Sequence, residues 1–356
     1  VAVFDAVFEG GGAKGVALSG GVRGVQSQGH TLRRLVGTSA GAITATNLAV
    51  GYAPDDILRG SLEKGPDGRS VYASFTDAPA LDDATLAGST IGHALHRLGN
   101  TAEMAVLHAA LRVGPLRELL SLTEKGGLYG GDAFLQWMRK CLDDDGRGLA
   151  DATFAEVFEH TGRDLSIVAT DTTARRMLVL NHRTAPKCPV SWAVRMSMSI
   201  PLYWQEVPWR AEWGRYLGED LTGHAVVDGG VVSNFPLHLI ADPEDDEVVR
   251  WMGPVDRDPA VRPLGFFLDP ELEVPGAPAP AAPPLGHRGL LARLSALLDT
   301  MMEASDNEVL QTHARFVCRL PVKGYGTTEF DQPEPRVRAL YDAGTQAAIR
   351  YLSEVP

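Results

Sequence analysis

The sequence predicts an α/β fold with a parallel sheet, and three observations carry that prediction. Residues 2–8 and 32–36 are short apolar runs, each followed by a small-residue turn and then by a stretch of helical composition. Strand, glycine turn and helix, given twice in succession, is the rhythm of βα units. Strand-like runs then return from residue 165 onward, so distant parts of the chain are expected to complete the sheet.

The elements follow in order. The first strand, 2–8, ends in Glu9-Gly10-Gly11-Gly12. A helix is expected over 15–28, weakened by Gly20, Gly21 and Gly24 because glycine is a poor helix former. The second strand, 32–36, runs into Gly37-Thr38-Ser39-Ala40-Gly41, and 42–50 reads as helix. From 55 to 125 the pattern loosens into a helical insertion after the helix at 42–50, with helices expected over 91–98 and 102–111. A further helix is expected over 132–142, and strands over 165–169, 177–181, 225–227, 264–268 and 316–320. Proline and alanine dominate 275–284, which reads as a stiff surface loop. Apolar residues recur at helical spacing over 290–311 and 337–352. Too little follows the proline-rich loop for a second core, so 1–356 is expected to form one domain.

Composition narrows the function only a little. The 356 residues are 44% hydrophobic and 22% charged, an ordinary globular balance. A net charge of -12 argues against broad nucleic-acid binding, which needs cations to neutralise phosphates. It leaves room for peripheral contact with a membrane through a small face. Cys141, Cys188 and Cys318 have neither disulfide-framework nor metal-ligand spacing. No apolar run reaches the roughly 18–20 residues of a membrane span. A cytoplasmic protein is expected, although a start at Val1 leaves open that a segment was removed.

Two turns carry candidate chemistry. In Gly10-Gly11-Gly12-Ala13-Lys14-Gly15 three successive glycines let backbone N–H groups converge where a helix begins. Such a turn binds a phosphate or stabilises an oxyanion, or merely lets a strand and a helix pack closely. Gly10, Gly12 and Gly15 also satisfy the dinucleotide pattern G-x-G-x-x-G. The usual acidic residue about 20 positions on is missing, although Arg33 and Arg34 suit a 2′-phosphate. Gly37-Thr38-Ser39-Ala40-Gly41 fits the G-x-S-x-G elbow between a strand and a helix, which makes Ser39 a candidate nucleophile.

A serine nucleophile needs a base. His224 and His238 are the nearest histidines to consider, and each reads more readily as a surface or structural residue. Asp228 ends the run Ala225-Val226-Val227 and is followed by Gly229-Gly230, at a strand end where an α/β fold places chemistry. Taken alone, the Asp-Gly pair also fits a simple turn.

Together these blocks resemble the patatin-like phospholipase family, bacterial type. The resemblance rests on the glycine-rich turn, the Ser39 elbow, Asp228-Gly229-Gly230, and Ser197-Met198-Ser199-Ile200-Pro201, in that family's order. Ala169-Thr170-Asp171, Ser233-Asn234-Phe235-Pro236 and Gly326-Thr327-Thr328-Glu329-Phe330-Asp331 add weaker similarity. The resemblance implies a three-layer α/β/α sandwich with a mostly parallel central sheet, and a phospholipid or other acyl-ester lipid as substrate. It further implies a Ser39–Asp228 dyad and an oxyanion hole from Gly10, Gly11, Gly12 and Ala13, with no metal or cofactor. Lys14 would sit beside that hole, meeting an anionic headgroup or anchoring the turn, and Gly229 would serve a similar anchoring or substrate role. Asp171 is expected to cap or orient a loop, and 55–125 to supply a lid or acyl-chain wall.

Other features are read without choosing between roles. Trp204, Trp209 and Trp213 suit either an interfacial rim or the core. The stripe Leu290, Leu291, Leu294, Leu297, Leu298, Met301 and Met302 is read as a helix packed on the sheet rather than a membrane face. The rival functions are a nicotinamide-dinucleotide oxidoreductase using Gly10 to Gly15 and a non-catalytic lipid-binding module of the same fold. No sequence feature identifies a regulatory partner.

Overall fold

The two leading βα units stand side by side in the sheet. The computed structural model describes residues 1–79, 114–254, 258, 260–278, 300 and 309–354. β1 (Val3–Phe8) passes through a 3-10 turn, Gly12–Gly15, into α1 (Val16–Ser27); β2 (Thr31–Thr38) passes through Ser39 into α2 (Ala40–Ala49). After α3 (Pro54–Ser61) come β3 (Gly127–Tyr129), β4 (Asp164–Asp171), β5 (Arg176–Leu180), β6 (Leu202–Trp204) and β7 (Val207–Pro208). β8 (Ala225–Asp228), β9 (Val261–Glu273) and β10 (Val317–Lys323) follow. The helices expected over 91–98 and 102–111, and the apolar stripe from Leu290 to Met302, lie outside the described residues.

The main sheet runs β10-β9-β1-β2-β4-β8-β7, with β5 paired to β4. β10, β9, β1, β2 and β4 are mutually parallel, while β5 and β8 run antiparallel to β4 and β7 antiparallel to β8. Parallel strands need cover on both faces, and alternate residues provide it. Phe4, Ala6, Phe8, Leu35, Ile167 and Ala169 enter one apolar cluster; Val7, Val36 and Val168 enter another with Phe235, Leu237 and Trp251. Helices cover the sheet on both sides, giving the three layers.

The register fixes the site. Phe8 on β1 lies opposite Gly37 on β2, so both strands end together and the turns after them become neighbours. β8 brings Asp228 to the same region, because Asp228 pairs with Ala169 on β4.

The glycines that weaken α1 in isolation are explained by its partner. α1 crosses helix Glu334–Glu354, and a Cβ on Gly20 would stand 2.1 Å from the Tyr341 carbonyl oxygen. One on Gly24 would stand 2.6 Å from the Thr345 carbonyl, and one on Gly344 2.3 Å from that of Ala17. The Thr345 hydroxyl donates to the Gly20 carbonyl at 3.1 Å across the contact. Close backbone approach outweighs poor helix propensity here.

Candidate active site

Ser39 sits at the apex of a sharp turn, with φ 51° and ψ -116°. That combination is costly for a residue carrying a Cβ, and small neighbours make it attainable. A side chain on Gly37 would run into the Gly41 backbone, and one on Gly41 would come within 2.1 Å of the Phe8 carbonyl oxygen. The Ser39 amide donates to Ser197 Oγ at 2.8 Å. Ser39 is the N-cap of α2, so its side chain lies at the positive end of the helix dipole.

Asp228 terminates β8 and is 2% exposed. Its Oδ1 accepts the Gly230 N–H at 2.8 Å, which orients the carboxyl, while Oδ2 is buried and has no hydrogen-bond partner among the described residues. Burial pushes its pKa up to about 7, against smaller lowering effects from the Gly230 amide and the Ser39 side chain. The Ser39 hydroxyl therefore lies close enough to the carboxyl to contribute one of these lowering effects. Gly229 lets this turn press on the sheet: a Cβ there would stand 2.4 Å from the Val168 carbonyl oxygen.

The glycine turn lies directly against the elbow, with a Cβ built on Gly10 only 3.3 Å from Ser39 Cβ. Its four expected donors are not equivalent. The Gly10 N–H donates to the Asn234 carbonyl at 3.1 Å, and the Ala13 N–H to the Thr327 carbonyl at 2.8 Å. Among the described residues, Gly11 and Gly12 give their N–H groups to no carbonyl outside their own turn. Gly12 adopts φ +55°, and a side chain there would collide with Thr327. Lys14 is half-buried and forms no ion pair among the described residues.

A cavity of about 640 Å³, mouth included, opens over Ser39. Gly12, Ala13, Gly15 and Ala40 line it together with the serine, as do Ile43, Ile57, Tyr72, Phe75, Phe134, Met198, Ile200, Trp204 and Phe330. The aromatic rings interlock, Phe75 meeting Phe134 edge-on at 5.2 Å and Trp204 meeting Phe330 at 5.6 Å. A protein-family model for patatin-like phospholipases matches residues 6–241, more than half of the chain and all of this apparatus from the glycine turn to Asp228. The chain belongs to the patatin-like phospholipase family.

Family membership supports lipid hydrolase activity. Among similar proteins, the uncharacterized protein YqhO of Bacillus subtilis (strain 168) is 26% identical over 359 residues, 98% of each chain. A probable lipid hydrolase of Invertebrate iridescent virus 6 is 21% identical over 235 residues, 65% of this chain and 61% of that one. Of solved structures, VipD from Legionella pneumophila aligns with TM-score 0.48 and 18% identity over 99% of this chain and 67% of its own. ExoU of Pseudomonas aeruginosa, in complex with SpcU, aligns with TM-score 0.42 and 15% identity, and this chain spans 51% of it.

Of the other sequence candidates Trp204 lines the pocket, whereas His224 and His238 do not, and Asp228 is not among its lining residues either. His224 Nδ1 pairs with Asp171 Oδ2 at 2.9 Å, and Asp171, fully buried, also accepts the Ala174 N–H at 3.0 Å. Asp171 thus orients its own turn and a histidine. Trp204, Trp209 and Trp213 are 2%, 1% and 2% exposed, so the three tryptophans form core rather than an interfacial rim. Their wide spacing among charged residues concealed this, since the intervening polar residues turn outward.

Several supports of the site had no sequence signal beyond family resemblance. Asn234 Nδ2 donates to Glu9 Oε1 at 3.0 Å and to the Gly10 carbonyl at 3.3 Å, and Glu9 also accepts the Leu268 N–H. The glycine turn is therefore braced from below by a buried carboxyl and an amide. Arg195, 3% exposed, donates to the Gly130 and Gln205 carbonyls at 2.6 and 3.1 Å and to Ser199 Oγ.

Proposed function

We propose that this protein hydrolyses carboxylic esters of phospholipids or related acyl lipids through an acyl-Ser39 intermediate, with Asp228 as the base. The observation that carries the reading is a strained serine lining an apolar cavity, with a buried carboxyl, that of Asp228, close enough for the serine side chain to lower its pKa. Ser39 Oγ attacks the ester carbonyl and its proton passes to Asp228. The Gly11 and Gly12 N–H groups, which have no backbone acceptor outside their turn among the described residues, receive the oxyanion. Collapse breaks the ester C–O bond, and Asp228 returns its proton to the departing alcohol. Water then attacks the acyl-enzyme as Asp228 takes its proton; the bond from the acyl carbon to Ser39 Oγ breaks, Asp228 passes that proton to Oγ, and the fatty acid leaves.

The aromatic and aliphatic walls suit an acyl chain, whose burial is favourable in proportion to its apolar area. Ile57, Ser61, Tyr72 and Phe75, from within 55–125, are proposed as part of the acyl-chain wall. A pyrophosphate would find few polar groups there, so the cavity does not favour the dinucleotide reading. Among the described residues no helix is long and apolar enough to cross a membrane. Access to lipid is proposed to be peripheral.

Hydrolysis of a short-chain chromogenic ester tests the assignment. Ser39→Ala and Asp228→Ala are expected to abolish or nearly abolish turnover, while His224→Ala and His238→Ala retain it. Full activity in the Asp228 variant, or its loss in a histidine variant, would sink the dyad.

A further inference from the structure

One buried hydroxyl joins the nucleophile's backbone to the sheet. Ser197 Oγ accepts the Ser39 N–H at 2.8 Å and donates to the Val168 carbonyl on β4 at 2.6 Å. Ser39 holds a backbone conformation that persists only where its surroundings over-determine it. Two residues further on, the Ser199 carbonyl accepts the Asp228 N–H at 2.9 Å. The Ser199 hydroxyl in turn donates to the Arg195 carbonyl at 2.6 Å and accepts from the buried Arg195 guanidinium. A single short stretch therefore grips the backbone amides of both Ser39 and Asp228. Met198 and Ile200 of that stretch line the cavity, but Ser197 does not.

We propose that Ser197 is a positioning residue for the reaction, holding Ser39 at a fixed spacing from Asp228. The proposal rests on the Ser39–Asp228 reading. Because the Ser39 N–H is taken by Ser197, it also leaves the oxyanion to the glycine-turn amides. A hydroxyl that merely fills the core would tolerate a residue of equal volume, whereas this role requires a good acceptor and donor at Oγ.

Ser197→Ala, Ser197→Cys and Ser197→Thr separate the two. The readouts are the rate at which a fluorophosphonate labels Ser39, and kcat and KM for a soluble ester. Ala and Cys are expected to lower kcat and the labelling rate by about 100-fold, the scale of a small misplacement of reacting groups, with KM little changed. Thr, which keeps the hydroxyl, is expected to label faster than Cys even if it melts earlier. If Ala does not fold, Cys carries the same comparison. Labelling of the Cys variant at the wild-type rate, or of Thr no faster than Cys, would overturn the proposal while leaving the dyad standing. Failure of the wild-type protein to label at Ser39 would overturn both.

Discussion

Asp228 is the residue whose environment most directly predicts behaviour in solution. In the proposed dyad Asp228 must be ionised to accept a proton, and burial lifts this carboxyl from 3.8 to about 7. The kcat/KM of a neutral ester is therefore expected to rise with pH through about 7, with no histidine needed to explain the limb. The same shift has a cost in stability. Between pH 4 and 7 the folded chain keeps a proton that the unfolded chain has released, so stability falls as pH rises and the penalty is complete above about 7. Its size is on the order of 4 kcal/mol at most, from about three pKa units. Asp228→Asn is expected to be inactive yet to melt higher than wild type at pH 8, with the gain vanishing toward pH 4. Equal melting gains at both pH values would show that the carboxyl is not held neutral by burial.

At the scale of elements, glycine has opposite meanings at two helical positions. Gly20 in α1 faces the Tyr341 carbonyl at a distance no Cβ tolerates, whereas Gly60 in α3 has open space around it. Gly20→Ala is expected to destabilise by roughly 1–3 kcal/mol through overpacking, and Gly60→Ala to stabilise by about 0.5–1 kcal/mol through chain entropy. Chemical denaturation of both variants checks the pair, and a stabilising Gly20→Ala would refute the close crossing of α1 with helix Glu334–Glu354. The same contrast shows what the sequence made legible. β1, β2, β4, β9 and β10 could be read as apolar runs because both faces of a parallel strand are buried. β7, two residues long and containing Pro208, carries no such signature. Ser39 and Asp228 could be singled out as candidates because their turns demand glycine. The bond from Ser39 to Ser197 spans 158 positions, and no local pattern encodes a partner that far away.

The whole molecule sets how such a site meets its substrate. Its charge of -12 repels an anionic bilayer, and that repulsion is screened over about 10 Å at 0.1 M salt. A soluble ester carries no such field. If substrate is drawn from a membrane surface, hydrolysis of vesicles rich in anionic lipid should start slower than that of zwitterionic vesicles. It should then accelerate as salt is raised from low to physiological strength. Turnover of the soluble ester should stay flat over the same range, because neither Ser39 nor Asp228 is exposed to bulk ions. Lys14 would introduce the opposing term: a half-buried cation beside the glycine turn, with no ion pair among the described residues, would favour a phosphate once the headgroup is within reach. Lys14→Met should therefore weaken hydrolysis of phospholipid more than that of the neutral ester, while leaving the salt dependence on anionic vesicles in place. An anionic-vesicle rate that falls as salt rises would show instead that a local basic face outweighs the net charge, and would move the membrane contact to that face.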